Sequence, residues 1–200
     1  MPTFIEIVQV SSSETLRADP SLAQPAIDYL TKVDGCLSIR QGFQVEDPTK
    51  AFLVINWESL DKPKQMQQRA DFPSFLSAMQ ALGTLDNLRF LEFDADTSNA
   101  FSAAVTEITT IKAKEAEGHT LDDVAAVVAR IRENEHLAKG GRPPIAWARQ
   151  SVQEGEVGVL VIGWDSVEDH LAAYTGPPFD ATTRELIALS EPATIHVVLQ

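Results

Sequence analysis

Glu6 and Glu107 occupy matching places in two strand-like runs, Phe4 to Val10 and Val105 to Ile111. Alternation along a strand puts each glutamate on one face with Val8 and Val10, or with Thr109 and Ile111, and we expect that face to line a closed interior. A carboxylate buried there has its pKa raised and can take a proton from a phenol or an activated carbon acid. The alternative is a strand-end carboxylate, solvated or paired with Arg40 or Arg149. His170 and Tyr174 are spaced i, i+4 on a predicted helix. They can therefore face one ligand, the imidazole exchanging a proton near neutral pH and the phenol donating a hydrogen bond. A solvated helix face would show the same spacing. His196 points away from Ile195 and Val197 on the last predicted strand, as a base, a haem ligand or a satisfied sheet histidine. The catalytic candidates are thus Glu107, His170, Tyr174 and Glu6, and the candidate substrate contacts are Trp147, Arg149, His196 and Phe43. Tyr29 is a further candidate for a cavity wall. Trp57 and Trp164 read as core anchors at strand-to-helix corners, and His119 and His136 as surface residues.

Other chemistries find little support in the residue pattern. No His/Asp/Glu cluster has metal-ligand spacing and no Ser-His-Asp order is readable. Gly140-Gly141-Arg142-Pro143-Pro144 is not followed by a helix start, as a phosphate loop would be. No cofactor and no metal are expected. The single cysteine, Cys36, allows no intrachain disulfide and fits a reducing compartment. A formal net charge of −13 opposes a phosphate backbone, so nucleic acid is not an expected partner. No apolar run is long enough to cross a membrane, and no charged-then-apolar leader follows Met1; a cytoplasmic protein is expected. The expected partner is a small apolar or aromatic ligand, since a closed apolar cavity is indifferent to surface charge.

These residues are carried by a duplicated set of elements. Val54-Ile55-Asn56-Trp57-Glu58-Ser59 recurs as Val161-Ile162-Gly163-Trp164-Asp165-Ser166, and Arg40-Gln41-Gly42-Phe43-Gln44 echoes as Arg149-Gln150-Ser151-Val152-Gln153. Each half reads as strand, helix, hairpin, broken helix and strand, giving βαββαβ twice. Thr120 with Asp123, and Ser166 with Asp169, form capping patterns ahead of helices, the first of which is expected to reach Leu137. The broken helices interrupt at Phe72-Pro73 and at Gly176-Pro177-Pro178. Both faces of Phe52 to Trp57 and of Val159 to Trp164 are apolar, so each sheet needs helices on one side and a second sheet on the other. We expect domains at residues 1–95 and 100–200, joined by a linker at Asp94 to Ala100.

The βαββαβ order, with a Trp-acid-Ser turn leading into a broken helix that reaches a Phe, resembles the antibiotic biosynthesis monooxygenase family of the dimeric α+β barrel superfamily. The likeness is clearest over Phe52 to Phe72 and Leu160 to Phe179. It implies an α+β fold of two ferredoxin-like repeats packed sheet to sheet, here as an intrachain barrel. A monomeric pseudo-dimer would suffice, and unpaired sheet edges leave higher homo-oligomers open. The implied activity is cofactor-independent oxygenation of aromatic or polyketide-like compounds. The relatives include cyclases, stress-associated proteins and haem proteins. Many members place a histidine nine residues after the turn tryptophan, where this chain has Met66 and Ala173. His170 lies one turn earlier. Because His170, Tyr174 and Trp147 have no counterparts in the first half, the usable cavity is expected in the second.

Overall fold

Both halves turn their period-2 and β-branched runs into strands, and the helices between them cover one face of each sheet. The structure, a computed structural model, describes residues 3–152 and 155–200. The chain divides into two compact units, Thr3–Glu92 and Phe93–Leu199.

The first unit runs β1 (Thr3–Ser12), α1 (Glu14–Ala18), α2 (Gln24–Leu30), β2 (Cys36–Gln44), β3 (Lys50–Trp57), α3 (Asp61–Gln67), α4 (Phe72–Leu82) and β4 (Gly83–Phe93). Its sheet order is β4-β1-β3-β2, with β3 antiparallel to both neighbours. Val8, Val10, Leu53, Ile55 and Trp57 pack with Leu16, Ala26, Leu30, Met66 and Phe75 from the helices. Pro73 sits in the first turn of α4, where a missing N–H costs nothing, so the proline that ends one helix segment begins the next.

The second unit repeats the plan. It runs α5 (Ser98–Ser102), β5 (Val105–Ala113), α6 (Leu121–Glu133), β6 (Gly141–Val152), β7 (Gly155–Trp164), α7 (Val167–Thr175), α8 (Asp180–Leu189) and β8 (Ser190–Leu199). The sheet order is β8-β5-β7-β6, antiparallel throughout. Thr120 and Asp123 form the reciprocal capping box of α6. That helix stops at Glu133, and Glu135–Leu137 continues as a 3-10 turn. Ser166 caps α7 by accepting from the Asp169 amide at 3.1 Å.

Two expectations change here. The segment Asp94 to Ala100 is not a solvated linker. Asp94 receives both Arg132 guanidinium nitrogens at 2.7 and 2.8 Å and the Trp147 amide at 2.9 Å, while Thr97, Ala100 and Phe101 are buried. The glutamates also face the other way from the barrel-interior side expected for them. Val8 and Val10 beside Glu6, and Ile111 beside Glu107, pack in the helix-side clusters, so both carboxylates lie under the helices of their own unit. The opposite faces of β3 and β7 are apolar too, through Phe52 and Val54 and through Val159 and Val161, and periodicity alone does not say which face the helices take.

Candidate functional site

In the second unit, β5 holds Glu107 directly opposite Ile162 of β7 and His196 of β8, and Val105 opposite Trp164. Opposed residues share a face, and so do residues two apart on one strand. Glu107, His196 and Trp164 therefore converge on the helix-covered side. The capped first turns of α7 then bring His170 down onto them, buried at 6% exposure.

Glu107 accepts the Trp164 indole N–H at 2.9 Å and the Thr109 hydroxyl at 2.6 Å. His170 Nε2 lies 3.3 Å from the same carboxylate oxygen that Trp164 reaches. On the other side of the ring, His170 Nδ1 is 2.8 Å from His196 Nε2. The His170 ring is boxed by Trp164, His196 and Tyr174, with centroid separations of 5.0, 5.0 and 5.8 Å. The Tyr174 hydroxyl has its pKa raised by burial and by the Glu107 charge, so it stays a proton donor.

Glu107, Thr109, Trp164, His170 and Tyr174 of this cluster line a cavity of about 80 Å³ between the sheet and α6, α7 and α8. Glu135, Thr183 and Thr194 are further polar lining residues, and apolar walls include Ile111, Leu160, Ile162, Phe179 and Leu186. Among the described residues, no Lys or Arg lines it. The arrangement can hold a small apolar molecule, move a proton through a carboxylate and an imidazole, and donate to a ligand oxygen.

The first unit repeats only part of this. Trp57 donates its indole N–H to Glu6 at 2.8 Å, the counterpart of the Trp164 to Glu107 bond. Burial outweighs that bond and pushes the Glu6 pKa up to about 7. Pro63 and Gln67 stand in the stretch that carries His170 and Tyr174, and Met66, 3% exposed, fills the place of the cavity-lining Ala173. The unit's own cavity, about 20 Å³, does not reach Glu6.

Of the residues singled out from sequence, Glu107, His170, Tyr174 and His196 are brought together, and Glu6 is buried alone with Trp57. Among the expected substrate contacts, His196 meets His170 without lining the cavity, and Trp147, Arg149 and Phe43 do not line it either. Trp147 lies in the core with its ring over Gly158, where an added Cβ would come within 1.9 Å of it. Its indole nitrogen is buried without a hydrogen-bond partner. Arg149 is exposed and pairs with Asp122. Phe43 is half-buried against the first unit's core. Sequence reasoning missed Trp164 and Trp57 as carboxylate donors, although the joint recurrence of a strand glutamate and a turn tryptophan in both halves was the signal. Thr109 and Thr194, bonded to each other at 2.8 Å, were also missed; they sit in register across β5 and β8. Among the described residues, no group of three or more His, Cys, Asp or Glu is arranged to hold a metal ion.

No protein-family model and no curated protein sequence matches this chain. Solved structures do. An anthrone oxidase-like protein aligns with a TM-score of 0.69 at 12% identity, covering 99% of this chain and 91% of that one. A candidate monooxygenase from Lactobacillus acidophilus aligns at 0.64 and 10% identity, covering 99% and 93%. A haem-binding protein from Thermus thermophilus aligns at 0.60 and 9% identity, covering 100% and 92%. The fold is theirs. The chain is an α+β protein of two ferredoxin-like units, the fold it shares with these solved structures. At these identities the likeness carries fold and leaves chemistry to the site. No helix among the described residues is long and apolar enough to cross a membrane.

Proposed function

We propose that this chain is a small-molecule enzyme resembling cofactor-independent monooxygenases, acting on an aromatic or polyketide-like compound in the cavity of the second unit. One observation carries the reading: a buried carboxylate and imidazole, 3.3 Å apart, in the lining of a largely apolar cavity. Anthrone oxidase-like and monooxygenase neighbours agree with it in fold. The Glu107 and His170 pair takes a proton from a carbon acid or phenol, and Tyr174 donates to the oxygen on which the substrate's negative charge collects. The resulting electron-rich anion reduces dioxygen. A C–O bond forms to give a peroxide, whose O–O bond then breaks with loss of water, so that an activated CH₂ and O₂ become C=O and H₂O. A cytoplasmic, monomeric enzyme is the setting we propose for this chemistry.

The test is oxygen uptake with a panel of hydroquinones and hydroxylated aryl ketones, using ¹⁸O₂ to follow the label into product. We expect one O₂ per substrate and near-complete loss of turnover in Glu107→Gln, which keeps the shape and its hydrogen-bond acceptor. Undiminished turnover in that variant would overturn the assignment.

A second reading, a non-catalytic binding protein, is favoured by Ala173 standing where many members of the resembled family hold a histidine. Recovery of every bound ligand unchanged after incubation in air would select it. A haem site fits these residues poorly. His196 Nε2 is engaged by His170 and His170 Nε2 by Glu107, so neither nitrogen is left to hold a haem iron.

A further inference from the structure

The contact between His170 Nδ1 and His196 Nε2 imposes a constraint that the cavity chemistry alone does not use. At 2.8 Å, one nitrogen must donate and the other accept. A carboxylate only accepts, so a neutral His170 whose Nε2 proton faces Glu107 has a bare Nδ1. His196 Nε2 must then carry the proton of the shared bond. If His170 is protonated, both of its nitrogens donate, and His196 must accept with its proton on Nδ1. The protonation state of His170 and the tautomer of His196 are thus locked together.

The backbone explains how the lock is held. His196 is paired with Glu107 across β8 and β5, and the neighbouring pair Thr109 and Thr194 is closed by a hydroxyl bond. Sheet register therefore fixes both partners of His170, and α7 only has to lower the ring between them. In the first unit Pro63 stands at the position of His170, and this arrangement is absent.

We propose that His196 is a positioning residue for the reaction argued above: it sets the tautomer and tilt of His170 so that the imidazole keeps Nε2 toward Glu107. The inference rests on the proposed acid–base role of His170. Among the described residues, the titratable groups facing the cavity are Glu107 from β5, His170 and Tyr174 from α7, and Glu135 beyond α6; α8, β6, β7 and β8 add no charged side chain to its lining.

Two variants test it. His196→Gln places an amide N–H close to where Nε2 lies and cannot titrate, whereas His196→Leu removes the partner. The tautomer of His170 is read by ¹⁵N correlation spectroscopy of the ring nitrogens, with thermal unfolding as a check of the fold. We expect His196→Leu to lose the single Nε2–H tautomer and to lower kcat by about tenfold or more, part of the ~10²- to 10⁴-fold that a positioned acid–base group supplies. KM should stay within about twofold, and His196→Gln should restore both the tautomer and most of kcat. An unchanged ring spectrum in a folded His196→Leu overturns the proposal. Should the leucine variant fail to fold, a glutamine variant with a mixed His170 tautomer overturns it equally. A tautomer shift seen in a protein that oxygenates nothing upholds the control of the His170 tautomer by His196 and overturns the reaction in which it was placed.

Discussion

A buried carboxylate persists only where donors reach it or where it takes up a proton, and the two glutamates differ in how far each solution is used. Glu107 gathers Trp164, Thr109 and the edge of His170. Glu6 has the Trp57 indole and a pKa raised to about 7. The consequence for stability has a definite sign. Below about pH 4.5 Glu6 is protonated in both folded and unfolded chains, and its contribution is fully present. As pH rises through about 7, ionisation favours the unfolded chain and that contribution is lost, by about 3 kcal/mol for a shift of this size. Glu6→Gln keeps an acceptor for Trp57 and cannot ionise. Denaturant unfolding at pH 5 and pH 8 should show that the variant lacks this part of the wild-type loss. Trp164→Phe is a second residue-scale test. It removes the indole donor and leaves the buried Glu107 carboxylate short of a hydrogen bond, and should cost about 1 to 3 kcal/mol in the same measurement.

At the scale of elements, α7 and the sheet make the site together. The helix is anchored by its Ser166 cap, its buried side carries His170, and one turn on Ala173 leaves room where α3 of the first unit inserts Met66. The size difference at this position separates a filled core from a cavity. Ala173→Met should therefore close the second unit's cavity in imitation of the first. We expect ligand binding to fall below detection by calorimetry while the melting temperature stays the same or rises, because an added side chain that fills existing space strains little. A loss of stability without loss of binding would show that Ala173 packs elsewhere than in the ligand's path.

At the scale of the whole molecule, duplication has yielded two unequal units and a strongly acidic chain. The net charge of −13 falls on scattered surface residues, but Glu107 and Glu135 bring the same sign to the cavity without a Lys or Arg among its described lining residues. An anionic ligand would be buried there beside like charge, with no cation to offset its desolvation. Hydroquinone should accordingly bind at least about tenfold more tightly than 2,5-dihydroxybenzoate, a free-energy difference of about 1.4 kcal/mol, when both are titrated anaerobically at one ionic strength. Amide shifts on titration should be confined to Val105–Leu199. Perturbation centred on β1 to β4 would place the ligand in the wrong unit.

Much of this architecture could be read from local pattern. Alternation and β-branching mark the strands, Thr120 with Asp123 and Ser166 with Asp169 mark helix starts, and the Trp57 and Trp164 phrases reveal the duplication. The i, i+4 relation of His170 and Tyr174 was legible too, because that spacing is a local fact. The side of the sheet was not. Strands apolar on both faces carry no local mark of which face the helices cover, so Glu6 and Glu107 were expected on the wrong one. Contacts set by cross-strand register were equally hidden: the indole bonds to each glutamate span 51 and 57 residues, and His170 meets His196 across 26. The same limit explains Trp147, whose aromatic type suggested a cavity wall but whose ring is claimed by the bare Gly158 on the neighbouring strand. The sequence by itself determined the elements, their order and their duplication, because these follow from periodicity and caps within a few residues. Only the tertiary structure decided which face carries the candidate site and which residues share it, because that depends on register and on the volume left between helix and sheet.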